Sequence, residues 1–132
     1  VDYVTPLYIA CWRGNSEIVK ELLQHESVDV KAKAYDGSTA FHYACTNGCM
    51  EMVEAMIARD DVELNAFDRE DNTPFHFACT NRKIQPDELV NIAAQICVNL
   101  EMHPSKLCFP GDDDLVLQIS NVLSRRKSAR KQ

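Results

Sequence analysis

The sequence predicts an all-α solenoid: helix-turn-helix units stacked in register, joined by β-turn fingers and closed by a C-terminal capping helix. Three observations carry this. A seven-residue pattern recurs at a fixed spacing of 34 residues, as Thr5-Pro6-Leu7-Tyr8-Ile9-Ala10-Cys11, Thr39-Ala40-Phe41-His42-Tyr43-Ala44-Cys45 and Thr73-Pro74-Phe75-His76-Phe77-Ala78-Cys79. A fixed period of about 20–50 residues marks one supersecondary unit stacked on copies of itself. Each copy then leads, through a turn, into a second segment with apolar residues at helical spacing. After His103 the pattern dissolves into one last amphipathic stretch.

The first helix of each unit opens on its own start signal. Thr5 precedes Pro6 and Thr73 precedes Pro74; Thr caps a helix N-terminus, and Pro at the first helical position loses nothing because its N–H would be unpaired there. Ala10, Ala44 and Ala78 are small enough to allow close helix packing. Turns follow at Gly14-Asn15 and Gly48-Cys49, where Gly can take the left-handed conformation that ends a helix. Second helices begin near Ser16 and Met50. Their apolar residues, Ile18-Val19 with Leu22-Leu23 and Met52-Val53 with Met56-Ile57, define one buried face. The links Val28–Gly37 and Val62–Asp68 alternate apolar and polar residues. They read as hairpin-like β-turns, the first closed by Asp36-Gly37.

The third unit departs from the pattern. Glu70-Asp71 stands where Asp36-Gly37 closes the previous finger, and Asp tolerates that left-handed geometry at some cost. Arg82-Lys83-Ile84-Gln85-Pro86 replaces the Gly turn and inserts three residues before Asp87-Glu88-Leu89-Val90, so this loop is expected to protrude. His103-Pro104-Ser105 ends the second helix, and Pro110-Gly111 marks a further turn. Asp112–Lys127 then reads as a capping helix, or as a degenerate fourth unit, with Leu115, Ile119, Val122 and Leu123 on one face. Acid residues at its start and Arg125-Arg126-Lys127 at its end both complement the helix dipole. Solenoids need such caps to hide their last apolar face.

These residues closely resemble the ankyrin repeat, a family marked by Thr-Pro-Leu-His-x-Ala at a period of about 33 residues. The resemblance covers about residues 1–102 and extends to the Gly turn, the Glu-apolar-Val second helix and the Val-Asp-Val link. It divides the chain into repeat one (1–34), repeat two (35–68), an irregular repeat three (69–102) and a cap helix with basic tail (103–132). Tyr8 stands where the family has His, and Ala40 where it has Pro. Repeat one keeps the apolar Ile9, Trp12, Ile18 and Val19, unlike a terminal cap, and the chain opens in mid-pattern at Val1. Further repeats upstream, in a longer polypeptide, are therefore expected.

Composition narrows the function classes. With 45% apolar and 26% charged residues, the 132-residue chain is ordinary globular protein rather than a disordered segment. No apolar run approaches the roughly 18 residues that span a membrane. The net charge of −6 is uneven: the last eight residues carry +5, leaving −11 on the rest. That acidic body argues against a phosphate-binding surface, since nucleic-acid affinity rests on Lys and Arg. The tail Arg125–Lys131 reads first as a solvated helix end, and second as a nuclear-localisation or acidic-partner segment. Its Ser128 follows a basic run like those kinases use.

The repeat also absorbs most candidate chemistry. Cys11, Cys45 and Cys79 occupy one repeat position, too alike and too far apart for a disulfide framework. They are expected to be small buried thiols in a reducing compartment, the cytoplasm or the nucleus. His42 and His76 lie a full repeat apart, and no Cys-x-x-Cys occurs, so the closely spaced N/S ligands of a zinc site are missing. In the family, that His is a hydrogen-bonding residue that links neighbouring turns. Cys49 and Cys108 are less constrained, but neither has the thiolate–base pairing of a nucleophile. No phosphate-cradling Gly-rich loop is present. No cofactor, metal or catalytic role is expected.

The resemblance implies an interaction module that uses its finger tips and the inner face of its first helices. Off-consensus positions there are the candidate partner residues: Trp12, Arg13, Lys33, Tyr35, Asp36, Ser38, Thr46, Asn47, Phe67, Arg69, Glu70, Asn72, Thr80 and Asn81. Trp12-Arg13 leads, because Trp, Tyr and Arg are enriched at binding hot spots. The partner class is a protein or peptide. A regulatory or targeting segment of a larger enzyme or channel is the alternative, and a thiol or metal enzyme is the third class.

Overall fold

The computed structural model describes residues 4–47, 49–81, 83–107 and 113–130. Among them the elements are helices α1 (Pro6–Arg13), α2 (Ser16–Leu23), α3 (Ala40–Asn47), α4 (Met50–Ile57), α5 (Pro74–Thr80) and α6 (Pro86–Leu100). A short 3-10 turn (Pro104–Lys106) and α7 (Asp113–Arg130) follow. Helices α1, α3 and α5 pack side by side as one layer, and α2, α4 and α6 form the second. The arrangement is the expected helix-turn-helix solenoid, and among the described residues no strand interrupts it.

The helix starts follow from their sequence signals. The Tyr8 N–H donates to Thr5 Oγ1 at 3.1 Å. At the third unit the His76 N–H donates to Thr73 Oγ1 at 3.2 Å, and the Thr73 N–H returns to His76 Nδ1 at 3.2 Å. Such caps contribute ~1 kcal/mol each. Gly14 ends α1 in the left-handed conformation, φ 74°. The corresponding Gly48 lies outside the described residues.

Both fingers close with the same pair of main-chain bonds, one period apart. The Ala34 N–H reaches the Ser38 carbonyl at 2.8 Å, and the Gly37 N–H reaches Ala34 at 2.9 Å. The Asp68 N–H reaches Asn72 at 3.0 Å, and the Asp71 N–H reaches Asp68 at 3.2 Å. Gly37 has φ 83° and Asp71 has φ 63°, so Asp takes the left-handed position as expected. The Arg69 N–H donates to the Asp36 carbonyl at 2.9 Å and joins one finger to the next.

The core runs the length of the stack. Leu7, Phe41 and Phe75, equivalent residues of the three units, are fully buried together with Met52, Met56, Ile92 and Ile96. Cys11 and Cys45 are buried as expected, but Cys79 is only half-buried. That corrects the expected row of three buried thiols; Cys79 lies on α5, the last of the three first helices, where the repeat pattern gives way. Cys108 and the Pro110-Gly111 turn lie outside the described residues.

Repeat three is irregular in a specific way. Its second helix, α6, has 15 residues against eight in α2 and α4. Pro86 opens it, and the Gln85 N–H donates to Glu88 Oε2 at 3.3 Å. Of the preceding loop, Lys83 and Gln85 are exposed while Ile84 packs on the core; Arg82 lies outside the described residues. The long α6 gives α7 a platform. Ile119 is fully buried, and Leu115, Val122 and Leu123 are half-buried against the core. Helix α7 runs on to Arg130, three residues past the expected end at Lys127; the expected first residue, Asp112, is outside the described set.

Candidate functional site

The fingers and the first helices of successive units together make one side of the stack. Its floor is an aromatic ladder. Tyr8 and Tyr43 meet edge-on at 5.0 Å between ring centroids, and Tyr43 and Phe77 at 5.7 Å. His42 meets Phe77 at 4.8 Å. Such edge-to-face pairs are worth roughly 0.5–1.5 kcal/mol beyond their burial, and they hold the floor stiff.

Two members of the ladder, Tyr8 and His42, hold one repeat position, and each ties its unit to the next. His42 is fully buried. Its Nδ1 accepts the Thr39 N–H at 3.0 Å, which leaves Nε2 to donate to the Asn72 carbonyl of the next finger at 3.0 Å. Burial holds its pKa below the ordinary histidine value, against the opposing pull of the Asn72 carbonyl and the Asp68 and Asp36 carboxylates. One repeat earlier, the Tyr8 hydroxyl meets Ser38 Oγ at 2.9 Å. Ser38 and Asn72 are equivalent positions, so the longer tyrosine makes the same link through a side chain that histidine makes through a carbonyl.

This geometry sorts the expected partner residues. Ser38 is a correction. It is fully buried, with its hydroxyl donating to Asp36 Oδ1 at 2.5 Å and facing Tyr8, so it is framework and shows no surface to a partner. Asn47 and Asn81 also carry a structural duty. The Asn47 amide donates to the carbonyls of Cys11 and, at 3.0 Å, Tyr43; the Asn81 amide donates to Thr46. Each closes the open carbonyl end of the first helix in the preceding unit. Asn72 is half-buried and serves through its backbone, which bonds Asp68 Oδ1 at 2.8 Å and His42.

Seven of the expected residues are brought together. Tyr35, Asp36, Thr46, Arg69, Glu70, Asn72 and Thr80 line one cleft of about 500 Å³ between the fingers and helices of units two and three. Tyr35 is 73% exposed, and the Arg69 guanidinium lies 4.9 Å above its ring. That cation–π contact fixes two hot-spot residue types in place. Asp68 shares the cleft. Burial raises its pKa, but the Asn72 and Glu70 N–H groups outweigh this and hold the carboxyl below its usual range. Lys33 and Phe67 line a shallower neighbouring hollow at the finger tips. Trp12 is 60% exposed on the last turn of α1, beside exposed Arg13. It stands outside the cleft but is the repeat equivalent of Thr46 and Thr80, so it continues their line across the stack.

Sequence reasoning missed Asp68, His76 and Phe77 in the cleft wall. Phe77 had a signal: its repeat position changes from aliphatic Ile9 to aromatic Tyr43 and Phe77. A further cleft of about 430 Å³ between α6 and α7 is lined in part by Leu123, Arg126 and Lys127 of the cap helix and holds none of the expected partner residues of the strip.

The ladder, the caps and the fingers all repeat with the period of the sequence, and a family model described as ankyrin repeats (3 copies) matches residues 7–99. The chain belongs to the ankyrin-repeat family. None of the curated proteins compared with it matches. The ankyrin solenoid is a protein-interaction scaffold. Among the described residues, no group of His, Cys, Asp and Glu is placed to hold a metal ion, and no helix is long and apolar enough to cross a membrane. Two of the thiols at the repeat position are poorly suited to nucleophilic work: burial pushes Cys11 up to about 12, and Cys45 well above its ordinary value.

Proposed function

We propose that this ankyrin domain is a non-catalytic interaction module that receives a protein or peptide segment along its concave face, from Trp12 to the Tyr35–Arg69–Glu70 cleft. One observation supports the reading above others. Seven of the positions chosen from sequence for being off-consensus converge on a single cleft of about 500 Å³. Asp36 and Asp68 spend carboxylate oxygens on their own fingers, while Glu70, Arg69 and Tyr35 remain exposed to a partner. The mechanism is complementarity on a stiff scaffold, with no chemical step.

The test is to isolate a partner by cross-linking to the wild-type domain and to titrate it against variants. Trp12→Ala and Arg69→Ala are each expected to lower affinity by roughly 1–2 kcal/mol while leaving the thermal midpoint nearly unchanged. Cross-links confined to the α2–α4 side, or unchanged affinity in both variants, would refute the concave face as the binding surface.

A further inference from the structure

The cleft between the fingers of units two and three is acidic and aromatic at once. Asp36, Asp68 and Glu70 bring three carboxylates to its wall against one guanidinium, that of Arg69, a balance of −2. His76 adds no positive charge at neutral pH, because burial holds its pKa below the ordinary histidine value. The Arg69 guanidinium is engaged by the Tyr35 ring, 4.9 Å from its centroid. Among the described residues the Lys and Arg ion pairs are Lys20–Glu51 and Arg59–Asp61, so no lysine or arginine neutralises the three acids of the cleft.

Two of the carboxylates are aimed before any partner arrives. Asp36 Oδ1 accepts the Ser38 N–H at 3.0 Å. Asp68 Oδ1 accepts the Asn72 N–H at 2.8 Å and the Glu70 N–H at 2.9 Å. Glu70 is exposed, with no ion pair on its carboxylate among the described residues. Beside these acids stand two rings, Tyr35, which is 73% exposed, and Phe77.

Such a wall repels an anion, and a neutral side chain entering it would strip water from charge without replacing it. A cation satisfies the carboxylates and the rings together. Guanidinium fits better than ammonium. It is planar and weakly hydrated, gives two parallel N–H bonds to one carboxylate, and stacks on an aromatic face. Arg69 on Tyr35 already shows that contact inside the cleft. A volume of about 500 Å³ admits a few side chains of a partner. The charge of −11 outside the last eight residues draws a cationic segment toward the body of the domain.

We infer that this cleft receives an arginine side chain from a cationic segment of the partner protein, with Glu70 and Asp36 as its carboxylate acceptors and Tyr35 and Phe77 as its walls. The inference rests on the reading of this face as the interaction surface and adds the chemistry of what it binds. Arg69 is a positioning residue, holding the Tyr35 ring from one side.

Titrating residues 1–132 at low salt with hexa-arginine, hexa-lysine and hexa-glutamate peptides tests it. Hexa-arginine is expected to bind, hexa-lysine to bind about threefold or more weakly, and hexa-glutamate not to bind. Asp36→Asn combined with Glu70→Gln is expected to weaken hexa-arginine binding about tenfold or more. The Asn oxygen still accepts the Ser38 N–H, and Glu70→Gln alone gives the same direction should the pair perturb the finger. Glu17→Gln with Glu21→Gln removes two exposed carboxylates from α2 and is expected to leave the affinity within about twofold. Equal binding of the arginine and lysine peptides, equal losses from the two pairs of substitutions, or no binding of hexa-arginine overturns the inference. So does a partner cross-linked to this face through a segment without arginine, a result that leaves the interaction surface itself standing. Cross-links confined to the α2–α4 side overturn both.

Discussion

The two junctions of the stack solve one problem with different chemistry. Between units one and two the cross-link is Tyr8 to the Ser38 hydroxyl; between units two and three it is His42 to the Asn72 carbonyl. The position demands a neutral hydrogen-bonding group that spans from one first helix to the next finger. It does not demand an imidazole. What differs is how each junction responds to perturbation, because one link titrates in the alkaline range and the other in the acid range.

A residue that serves both junctions gives the largest expected effect. Phe41 is fully buried at the centre of the stack, so Phe41→Ala is expected to cost ~3–5 kcal/mol by chemical denaturation. It should abolish any difference between the junctions by loosening both.

Separating them comes next. His42→Ala leaves a buried Asn72 carbonyl and Thr39 N–H without their partner and is expected to cost ~2–4 kcal/mol. Tyr8→Phe removes only a hydroxyl from a half-buried link and is expected to cost about 1 kcal/mol. Equal losses from the two variants would show that the junctions are energetically alike and that the comparison has no content.

The pH dependence sharpens the same contrast without altering the core. The folded pKa of His42 is lowered from the ordinary 6.5 by burial. The unfolded chain therefore binds the proton first, so stability is full above about 6.5 and falls as pH drops toward the folded value. Tyr8 has the opposite displacement: burial raises its pKa above 10.0. Its contribution is full below about 10 and is lost as pH rises further. Cys11 and Cys45 add an alkaline loss of the same sign from about 9 upward, and His76 adds to the acid side. The decisive quantities are thus differences. His42→Gln should flatten the melting temperature between pH 7.5 and 5.5, and Tyr8→Phe should flatten only the alkaline limb.

Much of this architecture was legible because its causes are local. Thr-Pro pairs cap helices within three residues, and the 34-residue period places every first helix. The strip was legible only where exposure follows from local position, as at Tyr35 and Trp12. Asn47, Asn81 and Ser38 have structural ties that the local sequence does not show, because the groups that engage them, Cys11, Thr46 and Tyr8, lie a full repeat away in sequence. Ser38 is instructive. It meets the hydroxyl of Tyr8, which stands where the family has His, a departure visible in sequence whose contact falls 30 residues downstream. Arg59, whose guanidinium reaches the His25 carbonyl at 3.2 Å and Asp61 at 2.7 Å, went unnoticed for the same reason.

The finger tips supply the smallest and cleanest contrast. Gly37 and Asp71 hold the same left-handed position, but their surroundings differ. A Cβ at Gly37 would lie 2.9 Å from the Arg69 backbone nitrogen, in the segment that bonds to Asp36. Gly37→Ala therefore combines an unfavourable φ with a collision against backbone, and is expected to cost roughly 2 kcal/mol. Asp71 already carries a Cβ, so its only penalty is conformational, and Asp71→Gly is expected to gain up to about 0.5–1 kcal/mol. Part of that gain is offset by the greater freedom of glycine in the unfolded chain. A loss of stability in Asp71→Gly would show that the side chain holds the finger through interactions stronger than its backbone strain. The two tips would then differ in what anchors them rather than in how much room they have.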